Sequence, residues 1–156
     1  MMKRVLSLLS VLALLLALCA CGASDTVTRT PAEIADEVLA TQTFQDTLTA
    51  LETDMIGDYY WLDASAISDA KVYVSGSFST AEEIAVFKAA SKSDVAAIEK
   101  AIDTRLEDLQ LMFESYVPGE MAKISAPVRV TKGDVVVLVL CDDTAACKEK
   151  VNELLK

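Results

Sequence analysis

The stretch Val135-Val136-Val137-Leu138-Val139-Leu140 restricts this chain more than any other, because it is apolar at every position. Side chains of a strand alternate between its faces, so Val135, Val137 and Val139 share one face and Val136, Leu138 and Leu140 the other. A strand that is apolar on both faces must be covered on both, which puts it in the middle of a sheet or at an interface. Just upstream, Val128-Arg129-Val130-Thr131 is a second β-branched run. Lys132-Gly133-Asp134 joins the two, and Gly-Asp supplies the positive φ that a tight hairpin turn demands. Asp142-Asp143-Thr144 then caps a closing helix whose Cys147, Val151 and Leu154 face inward.

Other periodicities complete the outline. Val95, Ile98, Ile102, Leu106, Leu109, Phe113 and Tyr116 recur at steps of three and four, which predicts a long amphipathic helix over 94–116. At 1.5 Å per residue it spans ~35 Å. Ser91 or Ser93 is expected to cap its start and Pro118-Gly119 to end it. Glu99, Lys100, Asp103, Arg105, Glu107 and Asp108 form its solvated face. Thr30-Pro31-Ala32-Glu33 opens an earlier helix: Thr30 caps, Pro31 takes the first helical position and Glu33 reaches back. Ile34 and Val38 mark its buried stripe, and it frays near Thr43. Phe44, Leu48, Leu51, Met55 and Ile56 are spaced as in a helix but interrupted by threonines, so a short helix is expected only over 54–60. Lys71-Val72-Tyr73-Val74-Ser75 reads as a strand stopped by Gly76. Residues 81–89 read two ways: Thr80 and Glu83 suit the capping box of a helix, whereas Ile84, Val86 and Phe87 suit a strand buried on both faces. With the strand taken, the fold class is α+β. A roughly four-stranded, largely antiparallel sheet is covered by the long helix and the C-terminal helix, with residues 31–156 as a single domain.

The chain opens with Lys3 and Arg4, followed by an uncharged run over 5–18. Such a run rises only ~21 Å, short of the ~30 Å of hydrocarbon that a permanent span must cross. A basic start, a short apolar stretch and small residues afterwards form a secretory signal peptide over 1–20. Leu18-Cys19-Ala20-Cys21 resembles the lipobox of bacterial lipoproteins, with an aliphatic residue three before the cysteine and a small one immediately before it. Cys21 fits, whereas Cys19 follows the bulky Leu18. The resemblance implies cleavage between Ala20 and Cys21, a fatty thioether (palmitate-labelled) on Cys21, and a body held to the extracytoplasmic face of the cell membrane through covalent lipid. Residues 21–30, small and polar, form the lipidated N-terminus and a flexible tether. The plainer alternative is a secreted protein with incidental cysteines in its leader.

Charge and composition exclude several chemistries. Lys and Arg number 14 against 24 Asp and Glu, a net of −10. Nucleic acid, anionic head groups and polyanionic wall polymers are therefore poor partners, and an envelope protein or a neutral or basic ligand is expected. There is no histidine, which removes the usual general base near neutrality and the commonest zinc ligand. No glycine-rich phosphate loop exists, and no cofactor or metal is expected. Cys141 and Cys147 form either a small disulfide loop, which secretion permits, or two buried thiols on apolar rows. Asp54 with Asp58, Glu82-Glu83 and Asp142-Asp143 are close carboxylate pairs, the basis of an alternative reading as a hydrolase of wall or carbohydrate substrates. Each pair also has a capping or solvation role open to it, and Asp142-Asp143 lacks the spaced oxygens of a calcium loop. Tyr59-Tyr60-Trp61 is either a recognition patch or an aromatic plug at one end of the core.

Several stretches, in their order and spacing, resemble a family of small lipoproteins from clostridial and related Firmicutes that carries a domain of unknown function, of the DUF4358 type. They are Cys21-Gly22, Val72-Tyr73-Val74-Ser75, Glu83-Ile84-Ala85-Val86-Phe87-Lys88, Arg105, Tyr116 with Pro118, and Lys132-Gly133-Asp134 before the valine-rich strand. The resemblance favours a strand over 81–89 and implies a Gram-positive envelope lipoprotein. None of these stretches is a catalytic signature, so a non-catalytic binding or scaffold module is expected.

Overall fold

A computed structural model describes residues 26–156. The leader, Ala20 and Cys21 at the lipobox, and the first part of the tether lie outside the described residues. Helix α1 is Pro31–Thr41, and its start is a complete capping box. The Thr30 hydroxyl accepts from the Glu33 amide at 3.2 Å while the Glu33 carboxylate accepts from the Thr30 amide at 2.8 Å. Strand β1 (Leu48–Ala50) follows, then a 3-10 turn at Thr53–Met55 running into the one-turn helix α2 (Ile56–Tyr59). A second 3-10 turn, Ala64–Ala66, leads into β2 (Ile67–Ser75) and β3 (Glu83–Ala89). The long helix α3 is Val95–Tyr116, a 3-10 turn at Pro118–Glu120 continues into α4 (Met121–Ser125), and β4 (Val128–Lys132), β5 (Val135–Leu140) and α5 (Thr144–Leu154) close the chain.

Among the described residues five strands form one antiparallel sheet in the order β1-β2-β3-β5-β4. The sequence reading of roughly four strands is corrected by β1, which pairs Leu48 with Ser75 and Ala50 with Tyr73. Only Leu48 of its three residues is buried, so the helix-like spacing of neighbouring apolar residues masked it. Gly76 permits this pairing, since a Cβ there would lie 2.9 Å from the Thr47 carbonyl oxygen that its own amide bonds. Residues 83–89 are strand, as taken from the sequence, and form the centre of the sheet.

All six residues of β5 are buried. Val136, Leu138 and Leu140 pack with Phe87, Ile98, Ile102 and Phe113 beneath α3. Val135, Val137 and Val139 pack with Ile34, Val38, Cys147 and Val151 beneath α1 and α5. The doubly apolar strand thus receives cover from helices on both faces. Its hairpin with β4 turns through Gly133, whose φ is 61°, and Asp134.

Two local expectations need correction. Ser91 and Ser93 do not cap α3: their hydroxyls bond each other, Ser91 donates to the Asp94 carboxylate at 2.6 Å, and Asp94 at the cap position makes no side-chain cap bond. The helix expected over 54–60 is a 3-10 turn followed by a single α-turn. The long helix does end before Pro118, as read, and the short helix α4, which the sequence reading did not single out, follows before β4. At α5, by contrast, Asp143 caps as read, accepting from the Ala146 amide at 3.0 Å. Among the described residues no helix is long and apolar enough to cross a membrane.

Candidate functional site

The central strand β3 begins with two acidic residues that are almost wholly buried, Glu82 just before it and Glu83 at its first position. A carboxylate out of water requires hydrogen bonds and a cation nearby, and each of the two has its own set. Glu83 receives Arg105 from α3, with Nη2 at 2.7 Å and Nε at 3.2 Å from the same oxygen. The Tyr60 hydroxyl donates to the other oxygen. Arg105 also donates to the Tyr59 hydroxyl, and its guanidinium lies 4.2 Å from the centre of the Tyr59 ring. Burial first, then the neighbouring Glu83 charge, raises the Tyr59 phenol to about 12. The same causes push the fully buried Tyr60 well above its ordinary value.

Glu82 turns to the opposite set. It accepts from the backbone amides of Gln45 and Asp46 at 2.9 Å, from Thr80, and from the Lys123 ammonium at 3.2 Å. Lys123, on α4 and 3% exposed, also donates to Glu120 at 3.1 Å and lies 3.5 Å from Asp142. Glu120 in turn accepts from the Ala81 amide at 2.8 Å. Burial alone pulls the ammonium down, but hydrogen bonds to Glu120 and Glu82 outweigh it and hold Lys123 above its usual value. Among the described residues no buried side-chain polar atom lacks a partner.

The amide of Asp46, fixed by Glu82, leads to a third feature. The Asp46 carboxylate accepts from Ser75 Oγ, Ser77 N and Ser77 Oγ at 2.5, 2.9 and 2.6 Å, clamping the loop between β2 and β3. Those bonds, Ser75 first and Ser77 next, hold its carboxyl well below the usual carboxylate range. Phe78 stands in the clamped loop with φ 57° and 70% of its surface exposed. Between this loop and α3 lies a cleft of about 110 Å³, lined among others by Tyr59, Phe78, Glu83, Arg105, Leu109 and Met112. Ile98, Ile102, Arg105, Leu109, Met112 and Tyr116 follow one another at helical spacing, so Met112 and Tyr116 prolong the inward stripe of α3. Both are nonetheless exposed, Tyr116 to 87%.

Residues singled out from the sequence are distributed unevenly about this site. Tyr59 lines the cleft and Tyr60 is buried against Phe87, ring centres 4.9 Å apart, so both belong to the Glu83 cluster. Trp61 points elsewhere, 77% exposed with φ 53°. Glu82 and Glu83 are near the cleft, while Asp54 and Asp58 are exposed on the α2 segment and Asp143 is spent on the α5 cap. Cys141 and Cys147 are free thiols, both buried, sharing a hydrogen bond that, with burial, pushes Cys147 well above the ordinary thiol value. Among the described residues no group of three His, Cys, Asp or Glu is placed to hold a metal ion. Sequence reasoning placed Arg105 on the solvated face of α3, yet it is three residues after Ile102 and four before Leu109, on the inward stripe. That spacing was a usable signal. Asp46, Phe78, Glu120 and Lys123 gave none, because their burial or clamping depends on contacts distant in the chain.

These features define a small α+β protein: an open antiparallel sheet with helices on both faces and an ion-paired cleft at one end of its central strand. The chain belongs to the family described as Domain of unknown function (DUF4358), which matches residues 41–141. The match runs from the last residue of α1 to Cys141, so it contains every cleft residue named above and leaves out α5. No curated protein and no solved structure matches the chain.

Proposed function

We propose that this protein is a lipid-anchored, extracytoplasmic lipoprotein of a Gram-positive envelope that works by binding, without catalysis, and docks an envelope partner at the cleft between the β2–β3 loop and α3. The observation that carries this reading is the apolar lining of that cleft, where Phe78 and Met112 stay exposed beside side chains that are buried and ion-paired. Exposed aromatic and methionine side chains around a small preformed depression suit protein recognition. The hydrolase reading gains no support from Glu82 and Glu83, since each is already engaged by a cation and by internal donors. The lipobox motif at Cys21 supports the anchor.

Two measurements on the full chain in cells test the proposal. Radioactive palmitate should label the wild-type protein and not Cys21→Ala; undiminished label on the variant removes the anchor. A photo-crosslinking residue in place of Met112 should give a discrete adduct that is missing when the same group replaces Lys148, an exposed residue of α5. Identical adduct patterns from the two positions would remove the docking role of the cleft.

A further inference from the structure

We infer that the cleft faces away from the bilayer, so that the protein segment docking there stands outside the lipid. The inference rests on the lipid-anchored reading and adds the direction from which the partner comes. Where the chain enters the fold is the first observation. Thr26 lines a surface depression together with Ser91, Lys92, Gly133 and Asp134, and Val27 is buried in the core cluster that holds Val135 and Leu155. The body therefore grips the chain from residue 27 onward, beside the β4–β5 turn and the approach to α3.

The cleft lies at the other end of the sheet. Lys88 of β3 pairs with Val135 next to that turn, whereas Glu83, at the opposite end of β3, pairs with Leu140 and lines the cleft. Helix α3 runs the same way, from Val95 near the turn to Arg105 on Glu83 and on to Met112 in the cleft lining. At 1.5 Å per residue, Val95 and Met112 stand ~26 Å apart along its axis.

Reach decides the pose. From Cys21 to Thr26 there are five residue steps, which on any path span at most ~18 Å. With the cleft end turned down onto the head groups, the entry point would have to stand ~26 Å above them, beyond the length of the tether. Lying on α1 and α5 instead, the body turns the cleft upward, because the cleft is on the α3 face of the sheet. Lying on α3 would press the exposed Glu107, Asp108 and Glu114 against the membrane, and anionic lipid repels them. The remaining poses hold the cleft clear of the lipid.

The test uses the full acylated chain in vesicles of phosphatidylglycerol and phosphatidylcholine, with a bimane fluorophore on Lys92→Cys or on Met112→Cys. Both positions are exposed, so circular dichroism should find both variants folded, and the native Cys141 and Cys147 are buried away from the label. Emission is compared with and without a nitroxide on the phosphatidylcholine head group. Quenching is expected at Lys92→Cys and none at Met112→Cys. Inserting about twenty Gly and Ser residues after Gly22 extends the reach to ~80 Å, and in raised salt quenching should then appear at Met112→Cys. Equal quenching at the two positions of the native-length chain, or none at either, overturns the inference. So does a Met112 probe that stays unquenched on the long tether, since the tether would then not set the pose. A crosslink from Met112 mapped to a membrane-spanning segment of the partner overturns it as well. A wild-type chain that takes up no palmitate and does not float with the vesicles removes the anchor reading itself, an outcome distinct from all of these.

Discussion

Phe78 and Trp61 share an unusual combination, a left-handed backbone and a side chain mostly in water. For residues with a β-carbon that conformation costs about 1–2 kcal/mol, and neither ring recovers it by burial. Phe78→Gly should therefore raise stability by about 0.5–1 kcal/mol, the strain relieved less the extra freedom glycine gives the unfolded chain. A urea midpoint that stays put or falls in this variant would show that the ring is packed rather than displayed. Residue by residue, the site was only partly legible in the sequence. The aromatic triplet stood out, but three consecutive side chains at the end of a one-turn helix go to a cleft, a core and the solvent. Composition carries no record of such divergence. Arg105 was legible through its spacing, whereas the role of Asp46 depends on Ser75 and Ser77, which pairing of β1 with β2 brings to it.

Helix α4 is five residues long, yet it delivers the ammonium that holds Glu82 and Glu120 inside the fold. Lys123→Met keeps the bulk and removes the charge, leaving two buried carboxylates without their cation. The expected loss is about 3–5 kcal/mol in denaturant unfolding, with part recovered by adding Glu120→Gln, which leaves one fewer orphaned acid. A loss under about 1 kcal/mol would mean that water already reaches the cluster. Elements followed the sequence in proportion to their length. The periodicity of α3 repeats over 22 residues, and β5 is apolar throughout, so each signal was redundant. Strand β1 has three residues and α4 five, too few for any period to be read, and both exist because of what they pack against.

Across the whole molecule, three phenols are held in the neutral form. Burial raises Tyr59 and Tyr73 to about 12, with Glu83 and Asp36 respectively adding to it, and Tyr60 goes higher still. A folded value above the unfolded one means that this stability is complete below pH ~10 and lost as pH rises from there through 12. In a Tyr116→Phe variant, which removes the one phenol that stands in solvent, phenolate absorbance should thus grow together with the loss of circular dichroism. All three remaining phenolates forming while the helices of that variant persist would contradict the buried Tyr60–Glu83 contact. The α+β class was legible because β5 demanded cover on both sides; that α1 and α5 share one face needed the structure, where Lys150 of α5 meets Glu37 of α1 at 2.8 Å.

The register pairs Glu83 with Leu140, so β3 closes on β5 only after α3, α4 and β4 have been made. Until then the nascent β1-β2-β3 half has an open edge, and the uncharged run that completes it is, when unpaired, the kind of segment that seeds cross-β aggregates. The tight turn at Gly133 lets β4 and β5 zip as a local hairpin as soon as both have been made, which keeps the most adhesive part of the chain exposed for the shortest time.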